Sequence, residues 1–177
     1  MKSFKKIFLV GLPGSGKSTF GKKLAAQIEL DFIDLDTEIV KHEAMSIPEI
    51  FKHRGEDAFR TIERDNLEEV IKNKDCFVLA TGGGAPCFFN NIETMISAGV
   101  VIFLNEDIEE IVTRVSIEKA TRPLIEKIGD DDMFKNLTAL YKKRFPFYNK
   151  ADLTLSPEEI SIDKALEKLS QLSGAKT

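Results

Sequence analysis

Residues 6–19 read Lys6-Ile7-Phe8-Leu9-Val10-Gly11-Leu12-Pro13-Gly14-Ser15-Gly16-Lys17-Ser18-Thr19. An apolar, strand-like run passes through a glycine-rich turn into the start of a helical pattern. Positions 11–18 spell G-x-x-x-x-G-K-S, the phosphate-binding P-loop, in the strand-to-helix setting that gives the motif its meaning. Glycines let the backbone curl so that several N–H groups face one anion, and the helix that follows adds the positive end of its dipole. The segment Gly14, Ser15, Gly16, Lys17, Ser18 and Thr19 is therefore expected to cradle the phosphates of a nucleoside triphosphate. Lys17 supplies a point charge for the β- and γ-phosphates, and the Ser18 hydroxyl is a hard ligand for Mg²⁺.

Outward from this motif, apolar runs alternate with helical patterns, which predicts an α/β fold with a five-stranded parallel sheet between layers of helices. The predicted strands are 6–10, 32–36, 76–81, 100–104 and 153–155. Helical spacing is expected over 17–28, and over 57–73 with Phe59, Ile62, Leu67, Val70 and Ile71 as the apolar stripe. Ser46-Ile47-Pro48-Glu49 is a capping box that starts a short helix reaching about residue 53. Asp107 opens a further helix, a helical pattern ends at Arg144 before Pro146, and a closing helix covers 161–172. The polar stretch 117–132, with Arg122-Pro123 and Gly129-Asp130-Asp131-Asp132, is too long for a simple connection and reads as a mobile lid.

Composition agrees with one domain over 1–177: 42% of the residues are hydrophobic, enough for a single sizeable core. The net charge of −4 excludes a general nucleic-acid binder. Two cysteines, Cys76 and Cys87, make neither a metal site nor a disulfide framework. Cys76, opening an apolar run, is expected to be a small buried hydrophobe. With no leader-like run ahead of the first strand and no membrane-length apolar run, a cytoplasmic location and no membrane partner are expected. His42 and His53 lie in charged helical stretches and are expected at the surface. Phe51 and Phe59 are candidates for either a pocket wall or the core.

Ligands of open parallel sheets sit beyond the carboxyl ends of the strands. There the second strand delivers Asp34 and Asp36, two residues apart and so pointing the same way. One suits a metal and the other an acceptor hydroxyl, the needs of phosphoryl transfer; capping of the following helix by Asp36 is the plainer alternative. The third strand ends not in an acid but in Thr81 and the triple glycine Gly82, Gly83 and Gly84, which lets a small molecule approach the main chain or serves as a hinge. Arg60, Arg122 and Arg144 add groups suited to a carboxylate and to a transferring phosphoryl group.

Taken in order, G-L-P-G-S-G-K-S-T (11–19), D-L-D (34–36), G-E-D-A-F-R-x-x-E (55–63), G-G-G (82–84), R-P-L (122–124) and K-R-F-P-F-Y (143–148) resemble the shikimate kinase family. These are small P-loop kinases related in fold to nucleoside monophosphate kinases. The resemblance implies transfer of the ATP γ-phosphate to the 3-hydroxyl of shikimate, with Mg²⁺, in a monomer. It assigns Asp36 to the shikimate hydroxyls as the base, and Arg60 and Arg144 to the carboxylate. Gly82, Gly83 and Gly84 would line the ring, within a shikimate-binding segment at about 37–61. Lys17 and Arg122 would neutralise the phosphates, Ser18 would bind Mg²⁺, and Asp34 would orient its waters.

Two departures stand out. The family's arginine after the fifth strand is missing from Pro157-Glu158-Glu159-Ile160-Ser161, leaving Arg114 as the candidate to stack on adenine. The tail of the lid, 125–132, is acidic and matches weakly. Of the competing readings, a regulatory GTPase rests on N-K-x-D at 149–152, which here precedes a strand instead of following one. The chain also lacks any D-x-x-G switch. A gluconate or nucleotide kinase would share the P-loop and lid but not Asp36, Arg60, the triple glycine and Arg144 together.

Overall fold

A computed structural model describes residues 4–120 and 130–175, with side chains left out at 117–120, 130–131 and 174–175. The sheet has five parallel strands, β1 (Lys6–Val10), β2 (Asp31–Asp34), β3 (Phe77–Ala80), β4 (Val100–Leu104) and β5 (Leu153–Leu155), in the order β2-β3-β1-β4-β5. Strands β3 and β4 are buried throughout, and β1 between them from Ile7 on, as expected when helices cover both faces. Alternation divides the core in two. Phe8 and Val10 pack with α2 (Leu35–Glu43), α3 (Ile47–Asn73), α4 (Asn91–Ala98), α5 (Ile108–Ala120) and α6 (Asp130–Tyr148). Ile7 and Leu9 pack with α1 (Lys17–Gln27) and α7 (Ile162–Ala175). The predicted three-layer architecture is the one observed.

Registry brings the strand ends level. Leu9 and Asp34 both pair with Ala80, so the P-loop, the acids after β2 and the glycines after β3 leave one edge of the sheet together. Thr81 closes that edge by donating both its N–H (3.2 Å) and its hydroxyl (2.9 Å) to Leu9 O.

Some expectations needed correction. The second strand stops at Asp34, because its carboxylate accepts from Thr37 N and caps α2. Asp34, not Asp36, is the N-cap, and Asp36 stands in the first turn of the helix. The short and long helices expected around residue 55 are present but abut in α3, broken only at Gly55 (φ 80°, ψ 176°), a backbone region open essentially to glycine. Pro146 does not end the helix carrying Arg144, since α6 runs on to Tyr148. The proposed lid is helical at both edges, through Ala120 and again from Asp130. Its middle, including Arg122, lies outside the described residues. The sequence reading missed α4, which starts from Asn90 in the left-handed conformation without a side-chain cap. Cys76 is exposed, not buried, because β3 begins one residue later. His42 and His53 are exposed as expected. Among the described residues, no helix is long and apolar enough to cross a membrane.

Candidate active site

A cleft of about 730 Å³ opens over the carboxyl edge of the sheet, lined along the P-loop by Pro13 to Phe20 and further by Asp34, Asp36, Thr81, Gly82, Gly83, Glu106, Arg114 and Ile160 to Ile162. Gly14 and Gly16 adopt left-handed conformations (φ 81° and 84°), and Gly16 immediately precedes α1. Lys17 is buried and folds back on the loop, its ammonium donating to Leu12 O (2.7 Å) and Gly11 O (3.0 Å). Burial lowers its pKa to about 8; Arg144 pushes in the same direction, while Asp36 and Asp34 oppose. Ser18 donates its hydroxyl to Asp34 Oδ2 at 2.6 Å. These are two adjacent hard oxygens, the donor chemistry Mg²⁺ takes when phosphates and waters complete its shell.

Asp36 joins the cleft to a second cluster. Its carboxylate pKa is raised, chiefly by burial and then by Asp34, while Lys17 and Arg60 pull it back. The buried stripe of α3 (Phe59, Arg60, Glu63, Asn66, Leu67 and Val70) turns Arg60 and Glu63 inward, one helical turn apart. Arg60 Nη1 donates to Glu63 Oε2 at 2.7 Å, and its Nε and Nη2 donate to Glu56 Oε1 at 3.4 and 3.2 Å. Glu63 is almost fully buried, which raises its pKa against the pull of Arg60. Arg144 lies within electrostatic reach of Lys17 and Glu63, and its buried Nη1 has no hydrogen-bond partner. An unpaired buried guanidinium nitrogen is costly and marks a place where an acceptor belongs.

The triple glycine has a reason the sequence did not reveal: the protein's own groups crowd it. A Cβ at Gly82 would lie 2.9 Å from Glu63 Oε1 and 3.0 Å from Asp36 Oδ1. At Gly83 it would meet Pro13 of the P-loop at 2.6 Å, and at Gly84 the Arg60 guanidinium at 2.6 Å. The segment is further held by Tyr148, whose hydroxyl donates to Gly83 O at 2.5 Å.

Of the expected site residues, the P-loop, Asp34, Asp36, Gly82, Gly83 and Arg114 line the cleft. Arg60, Gly84 and Arg144 stand outside its wall, in the cluster behind Asp36. Arg114 lies over the P-loop, its Nη1 3.4 Å from where a Gly16 Cβ would be, and pairs with Glu106 (2.8 Å) and Glu110 (3.0 Å). Glu63, Glu106 and Tyr148 were given no role from sequence. Glu63 could have been found from its i, i+3 spacing to Arg60; Glu106 and Tyr148 carry no such local signal. Phe59 is core and stacks 4.5 Å from the exposed Phe51.

The N-K-x-D stretch has structural duties. Asp152 Oδ2 accepts from Val101 N at 2.9 Å, and Lys150 pairs with Glu93 across the surface. A P-loop on a 2-3-1-4-5 parallel sheet, with an acid poised between the phosphate cradle and a pair of arginines, defines a P-loop kinase of a small anionic acceptor. The shikimate kinase family model matches residues 13–172, and the chain belongs to that family. Its members transfer the γ-phosphate of ATP to shikimate. The chain is 40% identical over 166 residues to the shikimate kinase of Parabacteroides distasonis, covering 94% of this chain and 95% of that one. The crystal structure of shikimate kinase from Bacteroides thetaiotaomicron superposes with a TM-score of 0.86 at 35% identity, over 97% of this chain and 99% of that one. Shikimate kinase from Acinetobacter baumannii in complex with shikimate gives 0.81 at 34% identity, over 99% and 96%.

Proposed function

We propose that this chain phosphorylates the 3-hydroxyl of shikimate with ATP by placing the nucleotide in the P-loop cleft and the acceptor against Asp36, Arg60 and Arg144. The observation that carries this reading is the position of Asp36, which senses Lys17 on the nucleotide side and Arg60 on the other. Arg60 and Arg144 hold the substrate carboxylate, and the main chain of Gly82 to Gly84 lies along its ring. Asp36 accepts the proton of the 3-hydroxyl as that oxygen bonds to the γ-phosphorus. The bond from phosphorus to the bridging oxygen breaks, and ADP leaves. Raised proton affinity suits a carboxylate to this task.

Lys17 leaves the carbonyls of Gly11 and Leu12 for the phosphates, and the backbone of Gly14 to Thr19 holds them. Ser18 and Asp34 would hold Mg²⁺, which supplies charge neutralisation of the phosphates when bound. Arg114, which lines the cleft together with Ile160 and Ile162, would cover the base, and the family resemblance gives Arg122 to the phosphates. One chain carries all these groups, which fits a monomer. The exposed thiol of Cys76 and the use of ATP fit the cytoplasm.

The test is ADP release with MgATP and shikimate, gluconate, AMP or no acceptor. Stimulation by shikimate alone is expected; stimulation by another acceptor in its place overturns the pocket assignment. A larger rise in melting temperature with MgATP than with ATP plus a chelator is expected from the Ser18 and Asp34 pair, and equal rises would remove it from the metal.

A further inference from the structure

The turn after the triple glycine holds an arrangement that the assignments above leave unused. Beyond the short 3₁₀ turn Ala85–Cys87, Phe88 is extended, while Phe89 and Asn90 are left-handed (φ 50° and 58°). Such a φ is a genuine outlier for a bulky residue like phenylalanine, and it persists only where the surroundings enforce it. Here it sends consecutive phenylalanines to two arginines one helical turn apart on α3. The Phe88 ring centroid lies 4.4 Å from Arg60 Cζ, and the Phe89 centroid 4.9 Å from Arg64 Cζ. Phe59 adds a second ring 5.1 Å from Arg60 Cζ.

Arg60 is thus held in two distinct ways. Glu56 and Glu63 take three of its five N–H donors, leaving one N–H on each terminal nitrogen. Hydrogen bonds along the edge of a guanidinium leave it free to tilt about that edge, whereas rings that contact the cation restrain the tilt. Arginine recognises a carboxylate through a planar fork, so that tilt governs recognition. Phe88 is half-buried, where a cation–π contact is stronger than at an exposed site.

We infer that Phe88 is a positioning residue for Arg60: its ring sets the plane in which the guanidinium meets the substrate carboxylate, and the Phe89–Arg64 contact anchors the turn that delivers it. This rests on the assignment of Arg60 to the carboxylate. The test compares Phe88→Leu, which keeps apolar bulk without a π face, with Phe88→Tyr, which keeps the face, and with Arg60→Ala. Phe88→Leu is expected to raise the shikimate KM about tenfold, equivalent to about 1.4 kcal/mol. Its kcat and ATP KM should stay within about twofold, and Phe88→Tyr should match the parent.

Calorimetric binding of shikimate and of its uncharged carboxamide supplies the second readout. Phe88→Leu should weaken the acid and leave the carboxamide unchanged. An unchanged shikimate KM, an equal rise in the ATP KM, or Phe88→Tyr as impaired as Phe88→Leu overturns the inference. If Phe88→Leu does not fold, Phe88→Met with the same pair of ligands decides it by the same criteria. Arg60→Ala with undiminished shikimate affinity would overturn the carboxylate assignment itself; weakened binding in Arg60→Ala beside a normal Phe88→Leu overturns the role of Phe88 alone.

Discussion

Asp36 shows how much a single position can demand of its surroundings. Burial and the charge of Asp34 raise its pKa, so the ionised form is disfavoured in the folded protein relative to the unfolded chain. As pH rises above the ordinary carboxylate range, the unfolded chain loses this proton first, so the folded state is penalised once both are ionised. Asp36→Asn should therefore raise the melting temperature near neutral pH, with the gain vanishing in acid. The same change should lower kcat by about 10²- to 10⁴-fold, the span of general-base contributions. Turnover near the parent rate would remove Asp36 from proton transfer.

Lys17 has the opposite sign. With its pKa lowered from 10.5 to about 8, the folded protein sheds this proton first, and the ligand-free protein gains stability as pH climbs through that window. Phosphates restore the charge, so binding of MgATP near pH 8 should take up about half a proton, read by calorimetry in buffers of different ionisation enthalpy. Sequence brought Lys17 and Asp36 forward as candidates, because P-loop chemistry is local, and both line the cleft. It could not show that Asp36 sits on a helix, since Phe32 to Asp36 alternates like a strand and only the capping of α2 by Asp34 ends it.

Elements meet at the glycine segment, and adjacent positions there should separate the two substrates. Gly83→Ala drives a methyl into Pro13 and displaces the P-loop, so the ATP KM should rise most. Gly84→Ala presses on Arg60, so the shikimate KM should rise most. Steady-state kinetics that give both variants the same profile would contradict this division. Gly55 is a different case: a Cβ there would meet nothing within 4 Å, so only its backbone conformation forbids other residues. Gly55→Ala should cost about 1–3 kcal/mol in urea denaturation without any packing defect. From sequence, the capping box at Ser46 and the apolar stripe from Phe59 to Ile71 marked a short helix to about residue 53 and a long one over 57–73, on either side of the break at Gly55. It missed α4 because the left-handed Asn90 that starts it offers no side-chain cap.

Across the whole molecule, the five strands, their parallel order and the single core surface on each side follow from alternation of apolar runs with helical stripes. Long-range closeness does not follow from such patterns. Arg144 reaches the site from a helix that continues through Pro146, and its neighbours Glu63 and Lys17 come from other elements. Asp152 illustrates the same limit, since its guanine-motif spelling serves a strand end: Asp152→Ala should lose about 1–2 kcal/mol of stability and leave the preference for ATP over GTP unchanged. A Cβ at Gly82, Gly83 or Gly84 would run into Asp36, Glu63, Pro13 or Arg60. An inhibitor drawing its contacts from that bare main chain would leave few routes to resistance, because any side chain introduced to evict it would dislodge the enzyme's own working parts.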